Sequence, residues 1–421
     1  MMYRRSVLPV VFGLALTFTG LAFGQNWPRF RGPNGAGVSE ATTIPVRWTT
    51  EDYHWRVELA GIGYSSPVVW GDRVFVTSAE EEDATQVIRC LRTSDGGLIW
   101  QRDFPSTTHP KHRFNCYASS TPASDAEHVY YSFATPEKYT AMALTQAEGR
   151  EVWRRDLGPF ESQHGFGASP MLFDDLLILP DEQDGESSVV ALDRTTGEIR
   201  WQAERRTAKA AFATPCLYQP ETGPPQLILS SWGHGISSLD PRTGKLNWEQ
   251  AVFKYRVVGS PAVAAGLIFG CCGTGGVGRQ MFAVRPGNPA TGAASEIAYE
   301  VKGSLPYVCT PVAHGDLLFA WFDRGVVTCL DAPTGEIVWR ERIGGDYFGS
   351  PVRVGDRLYC ISREGEMVVL AAARAFQELA RIDLEERSNS TPAIADGVMY
   401  LRTASHLMAI GGKSQRVTSG E

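Results

Sequence analysis

The sequence predicts an all-β fold: an eight-bladed β-propeller of four-stranded antiparallel blades, closed by pairing the N-terminal outer strand with the C-terminal blade. Three observations lead there. A Ser or Thr directly precedes a Pro at Ser66-Pro67, Thr121-Pro122, Ser169-Pro170, Thr214-Pro215, Ser260-Pro261, Thr310-Pro311, Ser350-Pro351 and Thr391-Pro392, and the pairs recur every 40 to 55 residues. Self-similarity near that period marks repeated supersecondary units such as propeller blades. Each pair also leads into short runs of alternating apolar and polar residues broken by Gly-containing turns, the pattern of half-buried strands. Finally, the two ends complement one another. The strand His54-Trp55-Arg56-Val57-Glu58-Leu59 has no three strands before it, and the last unit, from Thr391 to Ile410, has no outer strand after it. Pairing them closes the ring, which removes any continuous sheet edge.

Along the chain, residues 1–24 have the features of an export signal. Arg4 and Arg5 supply the positive end, an apolar run follows, and Ala22-Phe23-Gly24 places small residues before a cleavage site at Gln25. The run is short for a membrane span, and no Cys follows it to carry a lipid. The mature chain is therefore expected to be periplasmic or secreted, without a membrane span. Residues 25–52, which contain Trp27-Pro28-Arg29-Phe30-Arg31-Gly32-Pro33-Asn34-Gly35, form an ordered arm packed on the propeller, with a ligand role left open for Arg29 and Arg31. Residues 53–411 are the propeller, and 412–421 a polar, disordered tail.

Within the propeller, Ala191-Leu192-Asp193-Arg194-Thr195-Thr196-Gly197-Glu198-Ile199-Arg200-Trp201 matches the unit ending at Trp248 and the one ending at Trp339. The Thr-Gly step supplies the positive φ of a tight hairpin. From Trp55, Trp248 and Trp339 to the next Pro is 12 or 13 residues, and the same count back from Pro311 and Pro392 lands on Tyr299 and Ala380. Trp100, Trp153 and Trp201 precede longer connections, of which the one from Trp100 to Pro122 spans 22 residues. Eight outer strands result. The residue before every Ser/Thr-Pro pair is Ser, Ala, Gly or Cys, as strands crowding toward a narrow channel require.

These Leu-Asp-x-x-Thr-Gly-x-x-x-Trp units resemble the tryptophan-docking repeats of the PQQ-like β-propellers, a family that includes quinoprotein alcohol dehydrogenases and the outer-membrane assembly factor BamB. The resemblance covers residues 53–411 and implies that each Trp packs between neighbouring blades. One fold of this kind hosts several activities.

A net charge of −7 supplies no basic footprint for nucleic acid. A quinoprotein would need aromatic or disulfide faces for PQQ, basic groups for its carboxylates, Ca²⁺ and a catalytic carboxylate. In family dehydrogenases a vicinal Cys pair stacks on the cofactor, so the resemblance makes Cys271 and Cys272 its candidates; strand alternation instead sends one Cys to each side. The other six cysteines suit small core positions, and no CxxC or HExxH pattern occurs. His109 and His112 fit a solvated loop, and Asp181 to Glu186 an acidic hairpin turn. The segments leading into each Ser/Thr-Pro strand should share one face with those joining second to third strands. That face collects His164, Lys209, Trp232, His234, Arg256, Arg279, Tyr307, Tyr347 and Arg363, with Asp323 and Arg324 as the carboxylate–cation pair that a catalyst would use. The expected protein is a monomeric, exported, non-catalytic binding or interaction module of the cell envelope, with no cofactor, for an envelope protein, a peptide, or a saccharide or other anionic ligand. Two alternatives stand beside it. One is a PQQ- and Ca²⁺-dependent dehydrogenase. The other is a BamB-like assembly scaffold, against which the missing anchor Cys counts.

Overall fold

The computed structural model describes residues 26–412 except Thr207, Ala208 and Val277. The export signal and residues 413–421 of the tail lie outside the described residues. Seven four-stranded antiparallel blades span residues 68–104, 123–156, 171–205, 216–250, 262–301, 312–342 and 352–383. Blade 8 joins Ala393–Ala395, Val398–Arg402 and His406–Gly411 to Trp55–Glu58, with Trp55 opposite Ala409 and Glu58 opposite His406. The ring is thus closed by the two ends of the propeller, as the sequence predicts. Among the described residues, helix is confined to two 3₁₀ turns, Pro33–Gly35 and Thr50–Asp52, and no helix is long and apolar enough to cross a membrane.

Stacking of the blades explains their burial pattern. The second and third strands are covered on both faces, so Leu267–Cys272 is buried at every residue. Alternation survives in outer strands such as Ile199–Arg205, which carry one face toward solvent.

Between blades, the outer-strand aromatic seats on the Thr-Gly turn of the next blade. The Trp201 indole donates to the Pro241 carbonyl at 3.1 Å, Trp153 to Arg194 at 2.9 Å, and Trp55 to Thr93 at 2.8 Å. The turn glycine has a second reason to lack a side chain. Gly244 sits at φ +71°, and a Cβ there would lie 2.5 Å from the Trp201 ring. Trp248 is the exception: blade 5 carries a longer turn, and the indole donates instead to Gln226 Oε1 at 2.7 Å, whose amide reaches the Gly287 carbonyl at 2.8 Å.

The Ser/Thr-Pro pairs build the inner wall, and the structure shows why a hydroxyl stands there. The Ser66 amide donates to Thr121 Oγ1 at 2.9 Å, the Thr121 amide to Ser169 Oγ at 3.0 Å, and Thr214 to Ser260 at 2.9 Å. The pattern continues from Ser260 through Thr310 and Ser350 to Thr391, whose amide returns to Ser66 Oγ at 3.3 Å. Seven of the eight hydroxyls, all but that of Thr214, satisfy the amide of the preceding blade, which no sheet partner reaches so near the axis.

The arm does more than pack on the propeller: it plugs the channel. Trp27 exchanges both backbone hydrogen bonds with Val69 at 2.9 Å, and the Ser124 amide donates to Pro28 O at 2.8 Å. Arg29 donates to Pro215 O. Arg31, 1% exposed, donates to Pro351 O at 2.7 Å and Pro311 O at 3.0 Å. Arg31 is thus fully committed within the protein, whereas the buried Arg29 keeps an unpaired Nε, and burial pulls both guanidinium groups down to about 10, still protonated at neutral pH. Val38–Ser39 then adds a parallel fifth strand to the inner edge of blade 7. From there the arm lays Ile44 and Trp48 over the core of blades 7 and 8 and runs into the closing strand.

Candidate functional site

With the arm as plug, the opposite end of the channel is a closed-bottomed mouth of about 680 Å³. All eight Ser/Thr of the inner wall line it, with Phe30 of the arm among them. Its rim comes from the loops that the sequence placed on one face. His164, Arg279, Tyr307, Asp323, Arg324 and Arg363 line the mouth.

The other candidates lie elsewhere. Tyr347 is fully buried and edge-on to Trp321, with ring centroids 5.5 Å apart, so it is a core residue. His234 is buried too; it bonds Glu249 at 2.7 Å and accepts the Arg206 amide at 2.8 Å, and burial lowers its pKa. Lys209 stands 5.8 Å from the centroid of the Trp232 ring. Arg256 is mostly buried behind the mouth, 3.6 Å from Asp184, with one guanidinium nitrogen unpaired.

Asp323 does not pair with its neighbour Arg324. It accepts the Tyr307 and Val308 amides at 3.0 Å each and Arg279 at 3.4 Å, while Arg324 reaches the Gly275 carbonyl at 3.4 Å. Burial raises the carboxyl pKa, opposed by those amides and by Arg279. Its hydrogen bonds hold a turn in place.

The rim residues that sequence reasoning passed over include Arg113 and Phe114 of the loop between blades 1 and 2 and Phe348 of the loop between blades 6 and 7. Phe114 crosses the mouth to meet Phe348 edge-on at 5.5 Å, and the Arg363 guanidinium lies 4.4 Å from the Phe114 ring and 4.5 Å from that of Phe348. Arg113 lies 4.5 Å from the same Phe114 ring. Such cation–π contacts hold an Arg without consuming its N–H donors. His112 is exposed as expected, but it stacks on His164 at 4.9 Å. Burial, then Arg256 and His112, pull the His164 imidazole down to about 4, against a small opposing effect of Asp184. The signal available in the sequence was loop length, because this connection is the longest between an outer strand and the next pair.

Two further expectations meet the structure differently. The run Asp181 to Glu186 is not a plain surface turn: Glu182 and Arg205 form a buried ion pair at 2.7 Å, and Asp184 accepts the Ala210 and Gln163 amides at 2.7 Å each. Cys271 and Cys272 do face opposite sides of their strand, Cys271 in the core shared with Leu318 and Leu330 and Cys272 in that of Ile236 and Phe253. Burial raises both thiol pKa values. Neither sulfur lines the mouth, so the pair is not placed to stack on a planar quinone there. Among the described residues no three His, Cys, Asp or Glu side chains gather as a metal site.

A family model described as outer membrane protein assembly factor BamB matches residues 46–214 and 288–418. The BamB of Yersinia pestis is 22% identical over 291 residues, covering 65% of this chain and 69% of the relative. Among solved structures, BamB from Moraxella catarrhalis superposes with a TM-score of 0.61 at 15% identity, covering 85% of this chain and 98% of that one. The quinohemoprotein alcohol dehydrogenase of Comamonas testosteroni gives 0.66 at 14% identity, covering 94% and 82%. At these identities the structural likenesses establish the fold alone.

Proposed function

Since the chain belongs to the PQQ-like β-propeller family described by outer membrane protein assembly factor BamB, we propose that it is an exported interaction module of the cell envelope. In this reading it is a monomeric, non-catalytic scaffold that holds a polypeptide partner at its mouth. One observation carries the choice of binding over catalysis. The buried carboxylate of the mouth, Asp323, is already engaged by two backbone amides and Arg279, so it is poorly placed to act as a general base. The rim around it presents aromatic and Arg side chains, the residue types that anchor partners at interfaces.

Photo-crosslinking in the native envelope tests this. A photoreactive residue at position 113 or 324, on the rim, should capture an outer-membrane assembly protein, whereas one at position 200, on an outer strand, should not. Equal capture from both sites, or none from the rim, would refute the scaffold. The same reading expects no resident cofactor. A quinone spectral shift and dye-linked alcohol oxidation on adding PQQ and Ca²⁺ to the purified chain would overturn that part.

A further inference from the structure

We propose that the mouth is an oxyanion receptor: it seats a carboxylate or phosphate group between its hydroxyl-lined wall and the Arg side chains of its rim, with the aromatic body against Phe114 and Phe348. The inference rests on the mouth being the binding face and names the chemistry that it takes.

The hydroxyl ring is the first ground. Where a link forms, the oxygen accepts its neighbour's amide, so the hydroxyl's own proton remains to be donated. Among the described residues none of the eight hydroxyls donates to a protein acceptor. All eight line the cavity, and none is more than 6% exposed. A buried O–H without an acceptor calls for one.

The second ground is charge. Arg113 and Arg363 rest on aromatic faces, and neither guanidinium has a carboxylate or hydrogen-bond acceptor among the described residues. The Arg363 Nε is buried and unpaired. Arg324 has one carbonyl contact at 3.4 Å. Of the two carboxylates lining the mouth, Asp323 is engaged by Arg279, and Asp346 is exposed. In a chain of net charge −7 this is a local excess of cations.

Together these features favour an anion over a neutral sugar. Guanidinium groups donate and never accept, and the buried carboxylate that could receive a sugar hydroxyl is occupied. A cavity of about 680 Å³ suits a small ligand or a short peptide end, and the Phe114–Phe348 pair offers a planar body its stacking partner.

The test is calorimetric titration of the mature chain with benzoate, phenyl phosphate, inorganic phosphate and, as the neutral isostere, benzamide. Benzoate or phenyl phosphate should saturate and benzamide bind at least about tenfold more weakly, as loss of a charge-assisted hydrogen bond implies. The stronger of the two identifies the head group. Arg113→Gln, on an exposed side chain, and Arg363→Gln should each weaken the anion by about tenfold, with near-ultraviolet dichroism unchanged. Thr214→Val removes a hydroxyl while leaving the seven observed ring links intact, and should also weaken it. Benzamide binding as tightly as benzoate, no saturation by any anion, or full affinity in all three variants would overturn the proposal. Inorganic phosphate matching phenyl phosphate would overturn the aromatic half of it. Partner capture without anion binding sinks this inference alone, whereas anion binding without partner capture sinks the scaffold.

Discussion

Arg31→Ala should loosen the plug and weaken the ring. The side chain is 1% exposed and makes four N–H···O=C bonds. Two of them stay within the arm, at Gly35 and Ala36, and two reach across to Pro351 on blade 7 and Pro311 on blade 6 at 2.7 and 3.0 Å. A hydrogen bond to a charged group contributes about 1.5–3 kcal/mol net, a figure that already includes the cost of desolvating the guanidinium. The two cross-channel bonds therefore set the loss at about 3–6 kcal/mol, shared between release of the arm and destabilisation of blades 6 and 7. Two assays separate these. Denaturant titration reads the global part, and limited proteolysis near the exposed Asn34 reads arm release. Arg31→Lys keeps one charge but loses the fork that spans two carbonyls, so it should fall between wild type and Ala. A midpoint shift worth less than about 1 kcal/mol together with an arm still protected from protease would refute the reasoning, since arginine would then be no strut.

Gly244→Ala meets both a positive φ and the Trp201 ring, and should destabilise by about 2–4 kcal/mol in denaturant titration. Gly315→Ala, at φ +56° with nothing within 4 Å, should lose only about 1 kcal/mol, so equal losses would argue against the docking contact. Burial holds the Asp181 carboxyl at about 7, well above its ordinary 3.8. The native state therefore keeps a proton that the unfolded chain releases, and stability falls as pH rises from about 4 to about 7. Asp181→Asn should recover about 1–3 kcal/mol at pH 8 and nothing at pH 4, and a pH-independent effect would count against it. The His164 imidazole, held near 4, is the opposite case: its contribution is complete above its ordinary 6.5 and is lost as pH falls toward 4. NMR titration should find that low value and see it rise in Arg256→Gln; a His164 titrating near 6.5 would show that it is not desolvated.

The number of blades and the closing strand were legible in the amino-acid sequence, and the family resemblance implied the packing of each Trp between blades. Each is local or periodic: a Thr-Gly turn needs positive φ wherever it occurs, and eight copies of one unit with unmatched ends leave a single way to close. The small residues before each Ser/Thr-Pro pair likewise reported crowding at the axis. The site was only partly legible. Loop position correctly brought His164, Tyr307, Arg324 and Arg363 to the mouth, because turns of one type share a face. Tyr347 was misjudged because a loop tyrosine can turn inward against a core tryptophan such as Trp321.

What the tertiary structure alone decided are pairings between blades far apart in sequence. Asp323 meets Arg279 rather than Arg324, Phe114 meets Phe348 across the opening, and Arg31 reaches two carbonyls from beneath. No period encodes these contacts, since each occurs once and depends on where the closed ring carries two distant loops. The hydroxyls of the Ser/Thr-Pro pairs combine both kinds of information. Their recurrence is written in the chain, but that seven of them take the preceding blade's amide and keep their own proton for the channel follows only once the ring is closed.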